Sequence, residues 1–408
     1  MSERLPAKYE DRKKEFNVKD FGGLDTQNDR TAIAANDFAW IENLMPIGHG
    51  NLKTVPAASQ ALATATVPIV NWRYININNT DYQMCAMQDG SITAFNIDTN
   101  ALVTVAASGT TSGQVAFEQW QNLYALIIAE NGYWQWDGTT LTAIPGSVSI
   151  TGDTSTGSTT ILNASSTTWL ETGMPISGTD IPAGAYITGI AGTTLTISIA
   201  STGTHVGDAL TITTAAPAGG ILIAVYAGRV WIVTGSPSFR TIEFSAPGSY
   251  TAFDTVASGG SFIMSDSALQ NKITALCVSN DFLYIFGDSS INAISNVRVQ
   301  SGITVFSNVN ITAASGTKYR DSVFPYYRNI MYGTEWGFHG LNGASPNKLS
   351  DKLDGIIPLV DFTKKITAGE FMLYDIMTAG FLVYYNDNGT VRPIILCFAN
   401  GRWFVVSQ

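Results

Sequence analysis

Along most of this chain, runs of four to seven β-branched and aromatic residues alternate with short clusters of Gly, Pro, Asn, Asp and Ser. This is the pattern of short antiparallel strands joined by tight turns. Gly219 to Asp254 holds it in compact form: Ile221 to Tyr226, the turn Ala227-Gly228-Arg229, Val230 to Val233, the turn Thr234 to Pro237, and Thr241 to Ser245 ahead of Ala246-Pro247-Gly248-Ser249. Three strands are expected there.

The same unit recurs. Tyr82 to Met87 is followed by Asp89-Gly90 and a second apolar run, Asn122 to Ile128 by Asn131-Gly132, and Asp281 to Phe286 by Gly287-Asp288. Arg328 to Tyr332 is followed by Glu335-Trp336-Gly337, and Ala379 to Tyr385 by Asn388-Gly389. Between equivalent apolar markers the spacing is 39 residues from Met84 to Leu123, 53 from Val230 to Leu283, 47 to Ile330 and 52 to Leu382. Leu123 to Val230 is out of step at 107, but removing the 68 residues Ser147 to Thr214 restores 39. That segment is rich in Thr, Ser and Gly and nearly free of charge, and reads as a separate module.

A period of 40 to 50 residues with several strands in each predicts an all-β fold, a β-propeller of about six blades. The units start near Val67, Val115, Gly219, Phe262, Ser322 and Phe371. A β-sandwich is the competing architecture. The expected domains are a polar arm at 1–20, an N-terminal segment with the first blades at 21–146, an Ig-like β-sandwich module at 147–214, and the remaining blades at 215–408. The segment from Phe21 to Pro56 is a candidate extra strand for the first or last blade. Within it, Asn36 or Asp37 is a plausible N-cap for a short helix or turn.

Composition narrows the function. Of 408 residues 45% are hydrophobic and 13% charged, so the chain buries a core yet has half the usual share of charges to cover its outside. Partners are expected to cover part of it. With 32 acidic against 22 basic residues, the net charge of −10 opposes a surface that grips nucleic acid but suits one that DNA slides past. No apolar run is long enough to span a bilayer and no signal-peptide core opens the chain, so a cytoplasmic origin is expected. The arm at 1–20 reads either as a frayed terminus or as a segment that orders on a neighbouring subunit.

Chemistry is sparse. Cys85, Cys277 and Cys397 lie in apolar runs without metal-ligand spacing, and His49, His205 and His339 fall in different units. Asp89-Gly90, Asp137-Gly138 and Asp351 to Asp354 read as turn residues, not paired catalytic acids. Trp120, Trp134, Trp136, Trp231, Trp336 and Trp403 recur at similar places in the repeat and are expected to pack between blades, the other reading being a ligand platform. No catalytic residue, metal or cofactor is assigned, and a non-enzymatic protein is expected.

Two stretches resemble the tail nozzle proteins of short-tailed bacteriophages, also called tail tubular or DNA-stabilisation proteins. One is Phe21-Gly22-Gly23-Leu24-Asp25 with the downstream Asn-Asp-Phe-Ala-Trp-Ile-Glu-Asn-Leu that contains Trp40. The stronger is Arg229-Val230-Trp231, Gly235-Ser236-Pro237 and Phe244-Ser245-Ala246-Pro247-Gly248-Ser249-Tyr250-Thr251-Ala252-Phe253. Leu349 to Asp354 and Asn400 to Trp403 add to it, while Ala246 departs from the family, where Arg is common. The inserted segment is similar to small β-modules of phage structural proteins.

The resemblance implies a virion tail subunit, a hexameric homo-oligomer ring below the portal adaptor ring. It would extend and gate the DNA exit channel, support tail fibre or spike proteins, and let genomic DNA pass without sequence-specific binding. Phe21, Gly22, Gly23, Leu24 and Trp40 become candidate docking residues for a subunit or the adaptor. Arg229, Trp231, Pro237, Ser245, Gly248, Tyr250 and Phe253 become scaffold markers. The connections Thr255 to Lys272 and Asn296 to Thr317 are the candidate channel-lining loops. A carbohydrate-binding or glycan-cleaving propeller adhesin is the alternative function.

Overall fold

The computed structural model describes residues 21–29, 31–47, 51–56, 65–266, 269 and 271–407. The arm at 1–20 and His49 lie outside them. The chain is all-β, and its described residues form six four-stranded antiparallel sheets, each an up-and-down meander, the repeating unit of a β-propeller. They comprise strands Ile69–Ile77, Thr80–Met87, Ile92–Asn96 and Ala101–Ala106 (first); Val115–Trp120, Tyr124–Ala129, Gly132–Trp136 and Leu141–Ala143 (second); and Leu222–Tyr226, Arg229–Thr234, Thr241–Phe244 and Gly260–Ile263 (third). The fourth has Ala275–Ser279, Phe282–Phe286, Ile291–Gln300 and Ile303–Thr312; the fifth Phe324–Tyr326, Asn329–Thr334, Gly337–Asn342 and Ser345–Lys348; the sixth Thr367–Leu373, Ile376–Asp387, Thr390–Ala399 and Arg402–Val406.

The chain divides into two compact units. The larger, Ser59–Leu349 with Lys365–Ala368, holds the first five sheets and the inserted module. Its cores lie between successive sheets, and the third sheet shows why its strands are apolar throughout. Val230 and Ile232 pack toward Leu126, Ile128 and Tyr133 of the second sheet. Trp231 and Val233, on the opposite face, pack toward Leu283, Ile285 and Ile294 of the fourth. A strand buried on both faces shows no polar alternation.

The structure moves two sequence expectations. Phe262 does not start the fourth unit: it lies in Gly260–Ile263, the last strand of the third sheet, paired with Ile242. The fourth sheet begins at Ala275. Asn296 to Thr317 is not an open connection either, since Ile291–Gln300 and Ile303–Thr312 form a long hairpin through it. Thr255 to Lys272 likewise contains a strand and a short 3-10 turn, Thr255–Ala257. Gly302, with φ +79, supplies the reversal of that hairpin.

Residues 147–213 form two three-stranded sheets. One has Ser147–Thr154, His205–Thr213 and Ile176–Ser177, the other Thr160–Ile161, Thr194–Ile197 and Ile187–Ala191. Their inner faces share a core of Ile150, Ile161, Ile176, Ile187, Leu195 and Ile212.

The smaller unit, Met1–Ala58 with Ser350–Lys364 and Gly369–Gln408, contains nearly all of the sixth sheet. Here the N-terminal segment pairs with the sheet's last strand: the Val405 amide donates to Ile41, the Asn43 amide donates to Val405, and Glu42 bridges Val405 in parallel. Residues 31–43 form turns and isolated bridges. Of the short helix or turn expected there the chain takes turns, and Asp37, a candidate N-cap, instead accepts from the Gly23 amide at 3.1 Å and pairs with Lys352 at 2.6 Å.

Candidate functional site

In the larger unit the first strands of successive sheets neighbour one another and so line an axis. Polar groups on these strands and on the segments just ahead of them pair with one another. Arg73 reaches both carboxylate oxygens of Glu118 at 2.9 Å. The Asn71 side-chain amide donates to the Val115 carbonyl at 2.8 Å, and the Arg320 guanidinium donates to the same oxygen. Arg320 precedes the fifth sheet and Val115 opens the second, so that bond skips two sheets and crosses the axis. Lys365 pairs with Asp321 at 2.8 Å and donates to Val70. A cavity of about 280 Å³ remains beside these groups. Burial raises the Glu118 carboxyl against the pull of Arg73, and lowers the Arg320 guanidinium. Cys277 faces the same pair, and burial pushes its thiol up to about 12. Such a thiol stays protonated and inert.

The scaffold markers divide. Arg229, 2% exposed, donates to the Ser245 carbonyl at 2.7 Å and the Ser258 carbonyl at 2.8 Å. The Ser245 hydroxyl accepts from the Val230 amide and donates to the Ser249 carbonyl. Trp231 is fully buried, its indole N–H donating to Tyr226. Tyr250 packs its ring on Trp120 and Tyr124, and its carbonyl accepts from the Tyr133 hydroxyl. Phe253 is buried edge-on to Tyr133, and its amide donates to Thr214 where the inserted module returns. Gly248 and Pro237 are exposed; Gly248 turns at φ +74 and Pro237 follows a cis bond.

This segment is also the seat of the inserted module. Ala246 and Ala252 belong to the module's own core cluster, with Ala257 packed against it. Thr251 donates to Glu171 of the module at 2.6 Å.

In the smaller unit the Gly-Gly-Leu residues serve the chain itself. Leu24 is fully buried and its amide donates to Trp403 at 2.8 Å. Gly23 lies so close that a Cβ there would come within 2.9 Å of the Trp403 nitrogen. A Cβ on Gly22 would meet Asp37 and the Asn36 carbonyl. Phe21 stacks on Phe38, and Trp40 packs on Tyr385 with its indole donating to Glu42. Phe21 and Trp40 remain partly exposed.

The tryptophans also divide. Trp120, Trp136, Trp231 and Trp403 are buried and Trp134 partly so, as packing between sheets requires. Trp336 is 75% exposed. It sits in the two-residue turn between Asn329–Thr334 and Gly337–Asn342, not in a strand, and the repeat could not distinguish the two places. Beside it a cleft of about 420 Å³ is lined by residues including Asp288, Lys318, Glu335 and His339.

The acids of the Asp-Gly pairs cap turns: Asp89 accepts from the Ser91 amide, and Asp137 from those of Thr139 and Thr140. Among the described residues no three His, Cys, Asp or Glu side chains come together as metal ligands, and no helix is long and apolar enough to cross a membrane.

No family model matches the chain, and no curated protein matches it. Solved structures do. BamB from Moraxella catarrhalis is 13% identical over 83% of this chain and 86% of its own, with a TM-score of 0.32. Apo AztD from Citrobacter koseri is 13% identical over 68% and 70%, with a TM-score of 0.31. The fission yeast SREBP–SCAP binding domains are 7% identical over 84% and 76%, with a TM-score of 0.32. The first two are β-propellers. Similarities this loose attach none of these proteins' roles to this chain, and none of the three is a tail protein.

Proposed function

We propose that this chain is a structural subunit of a bacteriophage tail, a nozzle protein whose copies form a hexameric ring below the portal adaptor and bound the DNA exit channel. The observation that supports this reading is the use made of Ser245 to Phe253. The residues that carry the sequence resemblance are spent on an internal joint, where buried hydrogen bonds and aromatic contacts clamp the third sheet to the second and seat the inserted module. A joint of this kind makes a stiff body, which a channel wall needs, and leaves the inserted module held firmly for a fibre or spike to engage.

The polar bridges across the axis of the larger unit bear on where DNA would run. The Arg320–Val115 bond crosses that axis, with Arg73–Glu118 and Lys365–Asp321 nearby, so the duplex would pass between copies of the chain and not through one. A closed ring uses the same surface patches in each copy, and the covered area accounts for the low charge fraction. The net charge of −10 disfavours adhesion to phosphate along the passage.

Electron microscopy of the purified protein and of the intact particle tests the reading. The expected image is a six-fold ring coaxial with a DNA-filled channel. A stable monomer or trimer that binds host polysaccharide, with no ring in the particle, overturns it.

A further inference from the structure

The cleft beside Trp336 has no part in the joint or the axial bridges. Its most unusual feature is the exposure of a large indole for which no aromatic partner is found among the described residues. The indole does not hang on a loose loop. The Thr334 hydroxyl accepts from the Trp336 amide at 3.1 Å, donates to the Gly337 carbonyl at 3.1 Å, and lies 3.1 Å from Nε2 of His339. His339 stacks on the buried Tyr332 ring at 5.3 Å and 17°. One hydroxyl and one stacked imidazole thus fix the turn that carries the indole.

The polar groups around it select among ligands. Glu335 pairs with Lys318 at 2.6 Å, and Asp288 accepts from Asn271 at 2.6 Å. With two carboxylates and one ammonium the cleft is slightly negative, which disfavours phosphates, nucleotides and acidic sugars. It is open to solvent and lined by polar and apolar groups together, which disfavours a purely apolar ligand that needs enclosure. A rigid aromatic face beside carboxylates, hydroxyls and an imidazole matches a pyranose: axial C–H groups lie on the ring, and vicinal hydroxyls donate to carboxylate oxygens.

We propose that this cleft is a binding site for a neutral pyranose, as borne on surface glycans, stacked on Trp336 and held through its hydroxyls by Glu335 and Asp288. The site does not depend on the tail reading and would serve a subunit of any assembly. Lys318 holds Glu335 in place, and its own ammonium is stabilised by that pairing.

Saturation-transfer NMR on the whole protein tests it, with the methyl glycosides of glucose, galactose, mannose and N-acetylglucosamine as probes and methyl glucuronide as the acidic control. At least one neutral glycoside is expected to receive saturation on its ring protons. Trp336→Ala should weaken that signal at least about tenfold, the scale of removing a central aromatic anchor. Trp336→Phe should retain most of it, and Glu335→Gln should weaken it. Circular dichroism and thermal melting of both Trp336 variants, at an exposed turn, should match the parent. Silence from all four neutral probes overturns the proposal, as does saturation unchanged in Trp336→Ala or stronger with the glucuronide. Sugar silence combined with loss of self-association in Trp336→Ala would make the indole a protein contact instead, and would also overturn it.

Discussion

The Arg229 guanidinium, 2% exposed, stands 2.7 Å from the Ser245 carbonyl and supplies that oxygen's hydrogen bond inside the joint between the third sheet and the inserted module. A buried cation is costly unless its donors are used, and here burial lowers its basicity while two carbonyls accept its hydrogen bonds. Ser258, the second acceptor, also receives the Thr304 hydroxyl, so only Ser245 depends on Arg229 in this way.

Replacing Arg229 with Met therefore leaves one buried carbonyl without its donor. Stability should fall by about 1–3 kcal/mol in urea titrations. Arg229→Lys should recover part of that loss but not all: both bonds come from one guanidinium nitrogen, Nη1, and the ammonium on the differently shaped lysine side chain does not stand where that nitrogen does.

The bond from Thr251 to Glu171 couples the module to its seat. Thr251→Val should cost about 1.5–3 kcal/mol in the whole chain, the range for hydrogen bonds to charged groups. The module's two ends meet, the Thr214 and Ala215 amides both donating to Gly146, so residues 147–213 can be replaced by a short glycine link. In that shortened chain Thr251→Val should cost nearly nothing. An equal cost in both backgrounds would show that Thr251 acts within the third sheet alone.

Gly23→Ala should destabilise the smaller unit by about 1–3 kcal/mol, because the added methyl meets the backbone of Trp403, which is held in the sixth sheet. Gly401→Ala at an open turn provides the contrast: its cost comes only from the positive φ of +76 and should be smaller. Differential scanning calorimetry of the two variants separates steric crowding from backbone preference.

Glu42 sets an acid response. The Arg392 guanidinium is the chief cause of its low pKa, with Ser407 and Trp40 assisting against partial burial, and its carboxyl falls from the ordinary 4.5 to about 2. A carboxylate depressed on folding contributes stability that is fully present above the unfolded value and is lost as pH falls through the folded one. Melting temperature should therefore decline between about pH 4.5 and 2. Glu42→Gln should melt lower at neutral pH and lose part of that decline. After solvent screening the contribution is on the order of 1 kcal/mol.

The sequence by itself determined the repeating unit of several strands, the interruption between Ser147 and Thr214, and the run Val230 to Val233 as an apolar strand. These are local properties: turn chemistry and side-chain period act over a few residues, and a strand packed between two sheets must be apolar on both sides. It also marked Ser245 to Phe253 as a distinctive segment. It did not reveal that the segment seats the inserted module, because Thr251 and Glu171 are 80 residues apart and meet only in the fold.

Tertiary structure alone decided the rest. Phe262 and the hairpin around Gly302 were misplaced because strand termini depend on which neighbour offers hydrogen bonds, and Ile242 and Val305 are those neighbours. Arg320 and Val115 are 205 residues apart, so no spacing could announce the bond between them. The sequence reads Trp231 and Trp336 alike as packing residues, yet one is fully buried within a strand and the other, in a turn, is 75% exposed. Burial depends on what lies across from a side chain: Trp231 faces the fourth sheet, whereas Trp336 falls at a turn where no sheet covers it.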